Sequence, residues 1–354
     1  MKNRIITLDL LRTSAALIIV IYHYQHFSYY QSEPFYFFEY SKLPFFDNLI
    51  ILYNNGYLAV YFFFVLSGFI FYYVYFESIE KGYVKFKTFF IKRFSRLYPL
   101  HISTLIFVAL LQIVYVSLFS KPFIYGENNL KNFILHLFLI NHWGVFENSY
   151  SFNGPAWSLS VEEFAYIIFF ISSLIYKKFV KKNSLLFLIT LFFIFFILRL
   201  NVENPNNFQL FDGILCFFIG GVYSKIFQLN NKKLLIFFPL IHGVAAYFLY
   251  IDYFWKLFFF PAFILITAML DKYLKSIIYN FGSINEISFT LYLMHFPIQL
   301  IVVLIDFQFK LNINFVSYKF FILYIIFNVA ISTFIYKYFE NHYKKKIRTA
   351  FKIN

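Results

Sequence analysis

The sequence predicts an all-α fold, a polytopic transmembrane helical bundle with about ten spans and both termini cytoplasmic. Three observations carry this. The 354 residues are 61% apolar and 14% charged, with a mean hydropathy of +0.66, whereas a soluble domain is roughly half apolar and a quarter charged. Apolar stretches near the roughly 20 residues that cross a bilayer recur along nearly the whole chain. Lys and Arg collect in alternate connections, as cytoplasmic loops do. This composition excludes a disordered chain, a nucleic-acid reader and a disulfide-stapled secreted scaffold. Cys216, the single cysteine, makes no internal bridge.

The spans are expected at 5–28, 54–76, 97–119, 160–178, 184–201, 208–227, 234–250, 253–271, 286–306 and 316–339. The stretch 131–142 is apolar but too short to cross, and is expected to lie at the interface or to re-enter. With a cytoplasmic N-terminus, the inside connections hold Lys2 and Arg4, then the basic residues of 76–96, 177–182, 225–233, 271–275 and the tail from Lys337. These account for 23 of the 31 basic residues. Seven fall outside (Lys42, Lys121, Lys131, Arg199, Lys256, Lys310, Lys319) and Arg12 lies within a span. The net charge of +14 is thereby largely explained, and no nucleic-acid partner is needed. Lys2 and Arg4 before an apolar run resemble a signal peptide, but no small-x-small cleavage site follows, so the first span is expected to be retained. The chain is expected to be one membrane-embedded domain over 1–354, with no appended soluble domain.

Polar residues inside spans are costly and mark candidate function. In LDLLRTSAALIIVIYHYQHF, Arg12 and His23 are eleven residues apart, about 16 Å of rise and three turns plus roughly 20°. They share one face, with Asp9 at i−3 from Arg12. The alternative is that Arg12 snorkels to the inner interface and His23 marks the outer one. Ser67-Gly68 in the second span reads as a packing notch. Lys92, Arg93 and Arg96 form either an ordinary positive flank or a phosphate clamp. In FNGPAWSLSVEEFAY, Ser158 or Ser160 caps a helix with Glu162 and Glu163 in its first turn. Alternatively, these carboxylates and Trp157 serve sugar binding or proton transfer. Tyr292 stands at i−3 from His295. The remaining histidines have no metal-ligand spacing, so no metal is expected. Glu340 is expected to pair with the basic tail.

Five segments, in order, resemble the membrane acyltransferase family 3, integral-membrane O-acyltransferases of bacterial surface polysaccharides. LDLLRTSAALIIVIYH is similar to the family's LDGLRGIAALLVVLYH, and AVYFFFVLSGF to GVDLFFVLSGF. FFIKRFSRLYPLH resembles FYRRRxxRIxPxY, PAWSLSVEEFAY resembles WSLSVEEQFYL, and ISFTLYLMHFPI resembles ISYSLYLWHxPV. The departures are Thr13 for Gly, Tyr61 for the usual polar residue, and Lys92 for the first Arg of the basic pair. The resemblance implies an acyl-CoA donor, usually acetyl-CoA, held by Lys92, Arg93 and Arg96. It implies a glycan or lipid-linked sugar hydroxyl as acceptor, and a multi-pass protein of the inner membrane. Arg12 then orients the thioester, His23 is general base or transient acyl carrier, and Glu162 is a third catalytic candidate. Trp157, Ser67, Tyr292 and His295 are candidates for contacting substrate. Whether the acyl group is acetyl or succinyl stays open. The rival readings are a glycan permease, favoured by intramembrane Arg and His, and an assembly protein without chemistry.

Overall fold

The computed structural model describes residues 4–31, 39–145, 150–249, 254–279 and 286–353. Lys2 and the ends of the expected spans at residues 250 and 253 lie outside the described residues. The chain is 81% helical, with no strand among the described residues. Seven helices are long and apolar enough to cross a membrane: Ile6–Tyr30, Phe86–Phe119, Gly154–Val180, Phe208–Leu229, Phe254–Ser276, Ser288–Phe309 and Tyr318–Ala350. The pair Phe46–Asn55 and Leu58–Val74 is bent by 59°, as a broken span or a re-entrant loop would be, and adds an eighth crossing if it forms one span. The expected spans at 184–201 and 234–250 are the shorter helices Ser184–Leu200 and Lys233–Val244. Length and composition therefore give seven, or up to eight, crossings among the described residues and do not establish the expected ten. The segment expected at the interface forms the eight-residue helix Leu130–Leu137, capped by the Asn129 side chain on the Asn132 amide at 2.9 Å.

We label the elements used below α1 (Ile6–His23), α2 (His26–Gln31), α3 (Phe46–Asn55), α4 (Leu58–Val74), α5 (Phe76–Glu80), α6 (Phe86–Phe119), α7 (Leu130–Leu137), α8 (Trp157–Ile175), α9 (Ser184–Leu200) and α10 (Phe208–Leu229). Later helices are named by residue range. The centre of the bundle is a seam between α4 and α10. Membrane helices approach most closely where side chains vanish. A Cβ on Gly68 would stand 1.8 Å from the Phe217 carbonyl oxygen, and one on Gly220 would stand 2.0 Å from that of Val65. Gly68 is thus the expected notch.

Pro297 within Ser288–Phe309 removes one helical donor and frees the carbonyl four residues back. That carbonyl, of Leu293, is taken up by Asn153 Nδ2 at 3.1 Å. The repair ties the loop before α8 to this helix. Ser288–Phe309 and α10 are the most enclosed spans, with 83% of their apolar windows buried against 22% for Tyr318–Ala350.

Arg199 and Lys256, counted among the seven basic residues that fall outside the inside connections, point inward. Arg199 Nε donates to Asp212 Oδ1 at 2.7 Å, and Lys256 Nζ to Asp212 Oδ2 at 3.0 Å. Lys256 also lies 4.0 Å from the centre of the Tyr61 ring and Arg199 3.7 Å from that of Phe208. A buried carboxylate inside lipid demands such neutralisation.

Candidate active site

Three adjoining chambers run along the bundle. The first, of about 1280 Å³, opens at the end that carries Arg4. It is lined by six cationic side chains (Arg4, Arg12, Arg93, Arg96, Lys344, Arg348) against three carboxylates (Asp9, Glu286, Glu340). The second, of about 580 Å³, shares Arg12, Arg96 and Ser288 with the first and adds Ser67, Glu162 and Tyr166. The third, of about 1060 Å³, shares Val60 and Tyr292 with the second and holds His23 among aromatic side chains, including Tyr57, Tyr125, Tyr150 and Trp157.

The basic chamber is built by α6 and the C-terminal helix Asn341–Ala350 packing together. Arg93 is only 7% exposed. Its guanidinium stacks 4.8 Å from the centre of Phe71 and donates through Nη2 to the Tyr75 hydroxyl at 2.8 Å, while Nε has no hydrogen-bond partner. Arg96, less than one turn away, lines the first and second chambers. Arg348 Nε donates to Ser95 Oγ at 3.2 Å. Lys92 lines none of the three chambers, and its contribution is a carbonyl that accepts from Arg348 at 3.5 Å. Arg4 spans the mouth, 2.6 Å from Asp9 and 2.7 Å from Glu286. Burial opposes ionisation of Glu286, but the Tyr336 hydroxyl and Arg4 prevail and hold its carboxyl below the usual range. An excess of fixed positive charge in a cleft concentrates polyanions.

In the central chamber Glu162 is the only carboxylate among the lining residues, facing Arg12 and Arg96. Its Oε1 accepts from Ser67 Oγ at 2.6 Å and from the Tyr166 hydroxyl one turn along. Arg12 stands 3.8 Å from Asp9. Glu162 and Trp157 were expected to shape the same side, but they line different chambers. They are five residues apart on α8, about 140° around the helix. The expected cap is also absent. α8 starts without a side-chain cap because its N-cap residue is Ala156; Ser158 and Ser160 lie within the helix, where Ser158 Oγ bonds the Tyr292 hydroxyl at 2.8 Å and Ser160 Oγ accepts the His142 amide at 3.0 Å. Tyr292 in turn donates to the Pro155 carbonyl and stands between the second and third chambers.

His23 and His295 meet. Their rings stack at 4.9 Å and 13°, with His295 Nε2 3.0 Å from His23 Nδ1. His295 Nδ1 lies 2.6 Å from the Tyr292 carbonyl. Gln299 clamps the region, donating through Nε2 to the His23 carbonyl at 2.8 Å and accepting on Oε1 from His26 Nδ1 at 3.0 Å. Arg12 and His23, on one helix, therefore face successive chambers. Glu340 bonds Thr290 Oγ1 rather than forming an ion pair with the basic tail.

Several lining residues were not singled out from the sequence. Lys344 and Arg348 are spaced i, i+4, which places them on one face of a tail helix. Gln299, which supports His23 without lining a chamber, follows His295 by four residues, a polar pair on one face that the sequence does display. Tyr166 and Ser288 carry no such signal. Among the described residues no group of three His, Cys, Asp or Glu side chains is arranged to hold a metal ion.

The model of an acyltransferase-domain family matches residues 5–337. An uncharacterized protein of Haemophilus influenzae is 32% identical over 158 residues, 42% of this chain and 61% of that protein. The peptidoglycan O-acetyltransferase OatA of Listeria monocytogenes is 32% identical over 142 residues, 38% of this chain and 22% of that protein. The matched regions thus span about three-fifths of one curated relative and about a fifth of the other. No solved structure matches the chain.

Proposed function

The chain belongs to this acyltransferase family and is a multi-pass membrane protein, and from that premise we propose that it moves an acyl group, acetyl by preference, from acyl-CoA to a hydroxyl of an exported or lipid-linked glycan at the inner membrane. The observation that carries the reading is the succession of chambers, basic then narrow then aromatic, with Arg12 and His23 facing successive ones.

The chemistry assigned to each residue follows from its place. Arg93, Arg96, Lys344 and Arg348 bind phosphates at the basic mouth, where guanidinium forks match phosphate oxygens. The unpartnered Arg93 Nε is a donor that such a ligand would satisfy. Arg12 and Arg96 orient the thioester end in the central chamber. Glu162, held by Ser67 and Tyr166, balances the two guanidiniums there. On the aromatic side, Trp157 and the neighbouring tyrosines offer faces and hydroxyls to a sugar. His23 takes the proton of the acceptor hydroxyl, or carries the acyl group briefly, since an imidazole is both a base and a nucleophile near neutral pH. The acetyl group and the glycan are further supported by the Listeria relative, a peptidoglycan O-acetyltransferase.

The test is transfer of labelled acetyl from acetyl-CoA in membranes that contain the chain. His23→Ala is expected to abolish acceptor labelling while membrane insertion is kept. Unchanged product would remove His23 from the mechanism. Glycan flux without any acyl transfer would favour a permease.

A further inference from the structure

We propose that His295 is a positioning residue that fixes the tautomer of His23, an inference that rests on the reading of His23 as the reacting group. The argument follows the donors. The Tyr292 carbonyl only accepts, so His295 Nδ1, 2.6 Å away, carries a proton. In neutral His295 the other nitrogen, Nε2, is then a bare lone pair. It stands 3.0 Å from His23 Nδ1, which must therefore be the protonated nitrogen of His23. His23 Nε2 is left unprotonated on a ring that lines the aromatic chamber. A base is useful only if its bare nitrogen faces the proton it removes, and a partner on the far nitrogen is the device that ensures this.

The surroundings keep the pair in register. The two rings lie nearly parallel, 13° apart, and Gln299, four residues after His295, holds the His23 backbone carbonyl at 2.8 Å. The same Gln299 accepts from His26 Nδ1 on Oε1, so its amide cannot turn over to compete for His23. His26 packs against His23 with ring centroids 4.7 Å apart, but its Nδ1 is committed to Gln299.

In transfer the proton of the acceptor hydroxyl passes to His23 Nε2. The hydroxyl oxygen bonds to the acyl carbon, the carbon–sulfur bond breaks, and the proton ends on the departing sulfur. While His23 is charged, its Nδ1–H strengthens its bond to His295 Nε2 and shares the charge with a second imidazole.

The test reads the tautomer directly. The protein, labelled with ¹⁵N-histidine and held in nanodiscs, gives one signal pair per imidazole, with protonated and bare nitrogens widely separated. His23→Gln identifies the His23 pair by its loss. The wild type is expected to show His23 with Nδ1 protonated and Nε2 bare. His295→Phe is expected to mix the two His23 tautomers and to lower kcat by roughly 10²-fold while leaving KM for the acyl donor unchanged. His295→Gln, whose Oε1 accepts the same N–H, is expected to restore the Nδ1–H tautomer and most of kcat. A wild-type His23 protonated on Nε2, or equal kcat in the Phe and Gln variants, overturns the proposal. Full activity in His23→Ala would instead remove His23 as the reacting group on which this inference rests, and the wild-type spectrum separates the two failures.

Discussion

Substituting Gly68 by Ala probes the α4–α10 seam on which the central chamber is built. The new methyl would sit 1.8 Å from the Phe217 carbonyl oxygen. Carbon and carbonyl oxygen settle at roughly 3.3 Å, so the two helices must part locally by about 1.5 Å, with 1.8 Å as the starting contact. Ala is the better helix former by about 1 kcal/mol, but an overpacked interface costs about 1–3 kcal/mol or more, and the clash is with backbone, which has no rotamer to yield. The net expectation is a destabilised protein. The effect should also reach the site. Ser67 is the preceding residue, and its hydrogen bond to Glu162 is 2.6 Å long. A shift of this size breaks that bond, and one made to a charged group is worth about 1.5–3 kcal/mol. Gly220→Ala strains the same seam from the other side. Once the helices have parted for one methyl they accommodate the second, so the double variant should lose less than the sum of the singles. Gly126→Ala is the control for the thermal midpoint, since its new Cβ meets nothing closer than 4.0 Å; it lines the aromatic chamber, so it does not serve for the transfer assay. The assay is the thermal midpoint in detergent together with acyl transfer in membranes. A Gly68→Ala protein with both unchanged would refute the argument.

Two further outcomes follow from the site and the outer loops. Arg96→Ala should raise KM for acetyl-CoA by roughly tenfold or more, as loss of a charged hydrogen bond predicts, whereas Lys92→Ala, which lines none of the chambers, should leave it within about twofold; initial rates against donor concentration decide. Burial pushes the His142 imidazole from its usual 6.5 down to about 3. Its neutral form thus stabilises the fold fully above pH 6.5, and that stability is lost as pH falls from 6.5 towards 3, at about 1.4 kcal/mol per unit. His142→Gln should flatten the acid limb of a stability–pH profile.

Much of this architecture is legible in the chain itself. Hydropathy locates the helices, because lipid forces every backbone group to be satisfied within its own segment. It does not settle which segments cross: Ser184–Leu200 is a short, mostly apolar helix, and α3 and α4 are two pieces bent by 59° at their break. The pairing of residues from distant segments is also hidden. Nothing local in HFPIQ says that His295 will stand on His23, 272 positions away, or that Ser67 will donate to Glu162 rather than only open a notch. The cluster Lys92, Arg93, Arg96 reads as one patch, yet helix rotation separates it. Arg93 and Arg96 turn inward and Lys92 does not. Arg199 and Lys256 read only as outside cations near the ends of apolar runs, because hydropathy does not see the carboxylate waiting across the bundle.

That last cluster bears on how the protein is made. Synthesis delivers Arg199 first, Asp212 thirteen residues later and Lys256 a further 44 on. α9 and α10 can therefore leave the insertion machinery as an electrically neutral hairpin. The later lysine then enters a bilayer in which its counter-ion is already seated. Biogenesis thus has an order written into it, and a chain truncated before residue 256 would already hold the acid neutralised by Arg199 but would lack the second cation that locks the following segment in place.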